Sequence, residues 1–137
     1  MTENTQVLFK SRPTGWVDPS HFEVVKTPIK EPGAGEVLIR NIFMSLDPYM
    51  RGRMRDQKSY TAGFELGEVL QAGAIGEVVA SNDPSLSVGD LVEGRLGWEN
   101  YTVAKANEVG KVDGNVASLS HYLGVLGMPS MTAWVGL

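Results

Sequence analysis

The most constraining feature of this sequence is how often glycine and proline interrupt it. The chain of 137 residues contains 16 glycines and 7 prolines, together about 17% of the chain, where about 12% is usual. Such frequent turn residues favour short strands over long helices. The hydrophobic share of 42% and the charged share of 20% are those of an ordinary globular domain. We therefore expect one domain with a single core.

The segments between the turn residues predict about seven short strands. They cover residues 6–10, 22–26, 36–44, 68–80, 91–96, 98–104 and 108–112. In the fourth of these, Gly73 and Gly76 interrupt a β-branched run, as glycines do at a bulge or at a barrel corner. Many short strands joined by turns indicate a mainly β fold, either a barrel or a sandwich.

Helical signals are few and short. One helix is expected to begin near Asp47, which could cap it, with Pro48 at the first helical position. A second is expected over residues 118–125, followed by a break at 127–130. Residues 131–137 are apolar and resemble the start of a further helix. An apolar segment exposed at a terminus would favour association, so we expect more protein to follow Leu137 in the native gene.

The charge and the residue usage argue against several classes of function. The net charge is −4 and the isoelectric point about 5.1, whereas nucleic-acid binders normally present a basic face. The one short basic cluster is expected to be a solvated face, with its first two members either solvated or structural and without a phosphate role: Arg51, Arg53, Arg55 and Lys58. The N-terminus has no apolar signal core, and no run reaches the ~18 apolar residues of a membrane span. The sequence therefore predicts a cytoplasmic protein that binds neither nucleic acid nor membrane.

Metal and thiol chemistry are also poorly supported. The chain has no cysteine, which excludes disulfides, cysteine-rich zinc sites and thiol catalysis. Only His21 and His121 offer imidazole, and a zinc site would need both of them together with a carboxylate. We expect no metal site.

Several motifs, in this order and spacing, resemble one known family along nearly the whole chain. They are Gly35-Glu36-Val37-Leu38-Ile39-Arg40, Ser45-Leu46-Asp47-Pro48-Tyr49-Met50-Arg51-Gly52-Arg53-Met54, Gly76-Glu77-Val78-Val79, Gly89-Asp90-Leu91-Val92, Gly97-Trp98-Glu99-Asn100-Tyr101 and Leu126-Gly127-Met128-Pro129-Ser130-Met131-Thr132-Ala133. The chain resembles the N-terminal domain of zinc-independent medium-chain dehydrogenase/reductases. Within that superfamily it is similar to the branch of leukotriene/prostaglandin reductases, alkenal double-bond reductases and curcumin reductases.

This resemblance implies a fold and a reaction. The implied fold is a GroES-like, partly open β-barrel over residues 1–120, with 121–137 leading into an NADP-binding Rossmann domain after Leu137. The implied reaction transfers a hydride from NADPH to the C=C bond of an α,β-unsaturated aldehyde or ketone. The catalytic residues and most of the cofactor contacts would then lie beyond Leu137, so the isolated chain is expected to be inactive. Members of this branch are often homodimers, and the oligomeric state of the full-length protein stays open.

The zinc-containing relatives carry a cysteine in the loop after the long strand and a Gly-His-Glu sequence in the next glycine-rich strand. Here that loop reads Phe43-Met44-Ser45-Leu46-Asp47, and residues 68–76 contain no histidine. Zinc needs thiolate, imidazole or carboxylate ligands that converge on it. Hydrogen bonds would therefore have to polarise the substrate carbonyl.

Five residues are candidates for the site. The Tyr49 phenol can donate to a carbonyl oxygen and its ring can stack on an enone; the alternative is a half-buried tyrosine that only packs, and the resemblance favours the substrate pocket. The resemblance places Trp98 and Tyr101 at the substrate cleft, whereas aromatic residues at strand spacing are usually core. It places Met128 and Thr132 near the nicotinamide ring, the alternative being a packed hinge.

The cofactor fingerprint itself is absent from these residues. A phosphate cradle needs G-x-G-x-x-G at a strand-to-helix turn. The segments Gly33-Ala34-Gly35 and Gly73-Ala74-Ile75-Gly76 lack that spacing or that context.

Two other interpretations stay open. One is a stand-alone β-barrel module that binds a ligand or a protein without catalysis, since a fold does not determine a function. The other is a quinone reductase, or an acyl-chain enoyl reductase, of the same superfamily.

Overall fold

The computed structural model describes residues 3–58 and 60–137, and these form seven strands and several short helices. The strands are β1 (Glu3–Phe9), β2 (Phe22–Pro28), β3 (Glu36–Met44), β4 (Gln71–Ser81), β5 (Leu91–Gly97), β6 (Tyr101–Lys105) and β7 (Val109–Lys111). The α-helices are α1 (Tyr49–Arg53) and α2 (Met128–Gly136), and 3₁₀ turns lie at Pro19–His21, Ala106–Glu108 and Leu119–Leu123.

The strands form two antiparallel sheets that do not close on each other. β1 and β2 form a hairpin, and the other five strands have the order β6-β3-β4-β5-β7. Isolated bridges from Gln6 to Glu99 and from Leu8 to Val69 attach β1 beside the larger sheet. Among the described residues, β5 and β6 face each other without a ladder between them. The mainly β, GroES-like and partly open barrel expected from the sequence is confirmed.

Two apolar clusters form the core. The first lies inside the five-stranded sheet and contains Val37, Ile39, Ala74, Val78, Leu86, Val92, Leu96 and Ala106. The second lies between β1, α1 and the start of β4 and contains Phe9, Met50, Met54, Phe64, Leu70 and Ala72. The alternation of buried and exposed residues along β3 provides the inward face of the first cluster. The second cluster is the one that positions the candidate site.

The predicted strands exist, but some of their bounds are shifted by tertiary contacts. The strand predicted over residues 98–104 begins only at Tyr101. The Trp98 amide donates to the Leu70 carbonyl oxygen, and the Trp98 carbonyl oxygen accepts from the Val7 amide. These bonds tie Trp98 to other parts of the chain before β6 can start. The strand predicted over 68–80 begins at Gln71 for a related reason, since the Glu68 carbonyl oxygen accepts from the Phe9 amide.

The helix predictions need correction at three places. Asp47 makes no side-chain cap of α1, which begins at Tyr49 after Pro48; only the Asp47 carbonyl oxygen takes part, accepting from the Met50 amide at 3.1 Å. Residues 118–125 form only the 3₁₀ turn Leu119–Leu123. The expected break at 127–130 instead starts α2, because proline is well tolerated in the first helical turn.

No helix in the described part of the chain is long and apolar enough to cross a membrane.

Three aspartates that close surface turns should make the fold sensitive to acid. The pKa values of Asp18 and Asp83 are lowered by hydrogen bonds from the hydroxyl and the amide of Ser20 and of Ser85, and that of Asp90 by a hydrogen bond from Lys111. Because the folded-state pKa lies below the ordinary value of 3.8, the stabilisation is present above about pH 4 and is lost as the pH falls through the folded pKa.

Replacing all three aspartates by asparagine should therefore flatten the loss of stability between about pH 4 and pH 2. The measurement is the urea midpoint of the wild type and of the triple variant across this range. If the urea midpoints of the two proteins fell equally steeply with falling pH, the three aspartates would not be the source of the acid sensitivity.

Candidate functional site

The short helix α1 presents Tyr49 at the edge of the second apolar cluster. Met50 and Met54 are 4% exposed and anchor the buried side of the helix. Tyr49 is half-buried and packs against the same cluster from the rim. Arg12, from the loop after β1, donates to the carbonyl oxygens of Met54 at 3.2 Å and of Phe64 at 3.1 Å. The helix is therefore held in place from two sides, and Tyr49 has a defined position.

Trp98 lies at the rim of the same cluster. Its ring stacks on Phe22, with centroids 6.0 Å apart and planes 26° from parallel. Its indole Nε1 is buried and has no hydrogen-bond partner among the described residues. The structure thus brings Tyr49 and Trp98 to one cluster. These are two of the five residues singled out from the sequence.

The other three sequence candidates lie elsewhere. Tyr101 is 7% exposed, and its backbone pairs with Arg40 and with the side chain of Asn4. Met128, which is 76% exposed, and Thr132, also exposed, lie on α2. They are four residues apart, and so they share one helix face. Neither apolar cluster of the core includes any of the three.

Arg51 and Arg53 of the basic cluster were expected to be either solvated or structural, and the contacts of both side chains are structural. Arg53 is only 7% exposed. Its Nε donates to the Ala62 carbonyl oxygen at 2.8 Å, and its guanidinium carbon lies 4.1 Å from the centroid of the Phe64 ring. Arg51 donates to the carbonyl oxygens of Pro13 and Gly15. Carbonyl acceptors and an aromatic face draw both guanidinium groups onto the protein.

Arg53 also has an unusual electrostatic environment. Its pKa is lowered, first because burial removes water from the guanidinium and then because the positive charge of Arg95 repels it. The neighbouring phenol groups of Tyr49 and Tyr60 act on this pKa in the opposite direction and more weakly.

A polar cleft of about 250 Å³ opens at the gap between β5 and β6. Its walls are mostly polar or charged and include Glu68, Gln71, Arg95, Glu99, Thr102 and Glu108. Neither Trp98 nor Tyr101 lines it, although both neighbour Glu99 and Thr102 in the sequence. Glu99 organises one wall. Its Oε2 accepts from Asn4 at 2.8 Å and from Gln6 at 2.6 Å, and its Oε1 accepts from Thr102 at 3.0 Å.

Reasoning from the sequence missed Arg53 and Glu99. For Arg53 a signal was available, because Tyr49 and Arg53 are four residues apart on a predicted helix and must face the same way. For Glu99 the sequence carries no such signal, since its partners Asn4 and Gln6 are more than ninety residues away.

The described residues fit a nicotinamide dinucleotide only in part. Residues 3–58 and 60–137 contain no glycine-rich strand-to-helix turn that could cradle its phosphates. They also bring together no group of three acidic or histidine side chains that could hold a metal ion. The exposed face of α2 with Met128 and Thr132 could border one side of a cofactor.

Comparison with known protein families and curated proteins gives consistent results. Residues 5–112 match the family described as the N-terminal domain of oxidoreductase. The NADPH-dependent curcumin reductase of Escherichia coli (strain K12) is 40% identical over 134 residues, covering 98% of this chain and 39% of that protein. The NADP(+)-dependent 2-alkenal reductase of Nicotiana tabacum is 38% identical over 138 residues, covering 97% of this chain and 40% of that protein.

Comparison with solved structures agrees with these sequence matches. CurA from Vibrio vulnificus superposes with a TM-score of 0.90 at 40% identity, covering 98% of this chain and 40% of that chain. CurA in complex with NADPH superposes with a TM-score of 0.89 at 38% identity. The chain thus spans about 40% of the length of the proteins it matches.

Proposed function

This chain belongs to the zinc-independent medium-chain dehydrogenase/reductase superfamily, as an N-terminal domain of an oxidoreductase, and from that premise we propose that it is the substrate-side part of an NADPH-dependent double-bond reductase. The full-length protein would reduce the C=C bond of an α,β-unsaturated aldehyde or ketone. The observation that carries the proposal is the similarity over 97–98% of the chain to reductases of curcumin and of 2-alkenals. The half-buried side chain of Tyr49, which packs against the same apolar cluster as Trp98, supports it.

The reaction needs three contributions. NADPH, when bound, supplies a hydride to the β-carbon of the substrate. The negative charge then moves to the carbonyl oxygen as an enolate, and a proton is finally added at the α-carbon. Hydrogen-bond donors aimed at that oxygen lower the barrier because the charge on it grows in the transition state.

In this proposal Tyr49 donates its phenol hydrogen to the substrate carbonyl oxygen. A phenol at the edge of an apolar cluster acts in a medium with little water, where such a bond is stronger than in bulk solvent. Trp98 and Tyr101 would border the substrate, and Met128 and Thr132 the nicotinamide ring. The remaining cofactor contacts would come from the part of the protein outside this chain.

The test is NADPH oxidation, followed by absorbance, with a 2-alkenal, an α,β-unsaturated ketone and a quinone. We expect the full-length protein to reduce the first two and the isolated chain of 137 residues to reduce none. In the full-length protein, Tyr49→Phe should lower kcat/KM about 10- to 100-fold, because the substitution removes one hydrogen bond to a charged oxygen.

The matched control is Tyr122→Phe, which removes a hydroxyl that donates to the Asp113 carbonyl oxygen at 2.8 Å and should leave kcat/KM near the wild-type value. Faster turnover of the quinone than of both enones would favour the quinone reductase interpretation. NADPH-dependent enone reduction by the isolated chain would contradict the assignment of the cofactor site to the rest of the protein.

A further inference from the structure

The chain between α1 and β4 begins with a loop whose two ends meet. The Phe64 amide donates to the Arg53 carbonyl oxygen at 2.7 Å, so residues 54–63 leave the fold and re-enter it at one place. Residue 59 lies outside the described part of this loop. A surface loop of this length whose ends meet is an Ω-loop, a class that is frequently functional. The Ω-loop of this protein, residues 54–63, follows directly on the helix that carries Tyr49.

Two guanidinium groups fix the base of the Ω-loop to α1 and to the second apolar cluster. Arg53 donates from Nε to the Ala62 carbonyl oxygen at 2.8 Å. Arg12 donates to the carbonyl oxygens of Met54 at 3.2 Å and of Phe64 at 3.1 Å, which lie at the two ends of the loop. Met54 and Phe64 are themselves buried members of that cluster. The base of the loop therefore has a defined position relative to α1.

The exposed part of the Ω-loop carries one aromatic side chain. Tyr60 is 89% exposed, although it is only two residues from Ala62, whose carbonyl oxygen Arg53 holds. The other residues of the sequence from 55 to 62 are polar, charged or small. A tyrosine ring in water forgoes the stabilisation that its large apolar surface would gain from packing. An exposed ring on a loop with a fixed base is therefore suited to pack on a ligand.

The helical repeat decides on which side of α1 the Ω-loop lies. Residues four apart in a helix face the same way, and residues two apart face nearly opposite ways. Because Tyr49 and Arg53 are four apart, the bond from Arg53 attaches the loop on the side of α1 that carries Tyr49. Tyr49 and Phe64 also pack in the same apolar cluster. Arg51 points to the other side of α1, where it donates to the Gly15 carbonyl oxygen at 2.9 Å.

We propose that Tyr60 is a specificity residue whose ring packs on the part of the substrate beyond the reacting C=C and C=O groups. This inference rests on the function proposed for Tyr49. A substrate whose oxygen is bonded to Tyr49 lies on the side of α1 to which the Ω-loop is attached, and a large substituent on it reaches Tyr60. A planar aromatic substituent gains most, because two aromatic rings attract each other beyond the effect of the area they bury. Tyr60 thus sets the substrate preference and leaves the hydride transfer unchanged.

The experiment compares two enones as substrates of the full-length protein with NADPH. Benzylideneacetone and ethylideneacetone differ only in the phenyl or methyl group on the β-carbon. We expect Tyr60→Ala to lower kcat/KM about five- to tenfold for benzylideneacetone, the effect of one aromatic contact, and less than about twofold for ethylideneacetone. The loss should appear in KM and not in kcat, because the contact is equally strong in the ground state and the transition state. Tyr60→Phe, which keeps the ring, should behave like the wild type.

The matched control is Trp16→Ala. Trp16 follows Gly15 on the loop that Arg51 holds on the other side of α1, and it is 96% exposed. Both substitutions therefore remove an exposed aromatic ring from a loop that is tied to α1, and neither should disturb the fold. The control should leave the ratio of kcat/KM for the two enones at its wild-type value. An equal change of this ratio in both variants would contradict the assignment to Tyr60.

The outcomes separate this inference from the function on which it rests. If the wild type reduces both enones and Tyr60→Ala lowers kcat/KM equally for both, or for neither, the specificity role of Tyr60 is overturned and the reductase function stands. A loss in Tyr60→Phe as large as that in Tyr60→Ala would also overturn it, since the ring would then not be the group that acts. A wild-type protein that reduces neither enone would refute the proposed function itself, and the role of Tyr60 with it.

Discussion

Replacing Gly76 by alanine should destabilise the domain by about 3 kcal/mol, and replacing it by valine should prevent folding. Gly76 lies in the middle of β4, opposite Asn41 of β3. A Cβ at this position would lie 2.6 Å from the Arg40 carbonyl oxygen and would also collide with the Ile39 side chain. Because the nearest backbone atom belongs to the neighbouring strand, no change of rotamer can relieve the contact.

The measurement is the free energy of unfolding in urea. Gly110→Ala is the matched control, since Gly110 also lies in a strand and a Cβ there would meet nothing within 4 Å. This control should be neutral or slightly stabilising, because alanine lowers the entropy of the unfolded chain. Equal urea midpoints for the two alanine variants would show that β3 and β4 do not approach each other so closely.

Glu99→Gln should cost about 2–3 kcal/mol of stability, because one carboxylate here accepts three hydrogen bonds. Two donors, Asn4 and Gln6, come from β1, and the third is Thr102 of β6. An amide group at this position would place its own N–H donors against at least one of those donors. The substitution should therefore loosen β1 from the edge of the barrel.

The matched control is Glu93→Gln, at an exposed position in β5, which should change stability by less than about 0.5 kcal/mol. A double-mutant cycle of Glu99→Gln with Gln6→Ala should show coupling, since the two side chains are in direct contact. Strict additivity of the two effects would contradict the bond. Hydrogen exchange of the β1 amides should become faster in Glu99→Gln than in Glu93→Gln.

Local patterns in the sequence determined the type and the order of the elements. Gly and Pro between short β-branched runs predicted about seven strands, and β3 has the bounds that its pattern predicts, Glu36–Met44. This worked because the alternation of side chains along a strand is a local property. The motifs also predicted the family, which the match over residues 5–112 confirms. Local patterns in the sequence also predicted the short helix that carries Tyr49.

Only the tertiary structure decided which side chains meet. Glu99 finds its partners on β1, and Trp98 stacks on Phe22 of β2, and neither pairing follows from residues near it in the sequence. From the sequence, Arg53 is one member of a short basic run, yet in the structure Ala62 and Phe64 hold its side chain in a buried position. Charge along a sequence indicates exposure on average, whereas the burial of one guanidinium depends on the carbonyl and the ring that the fold brings to it.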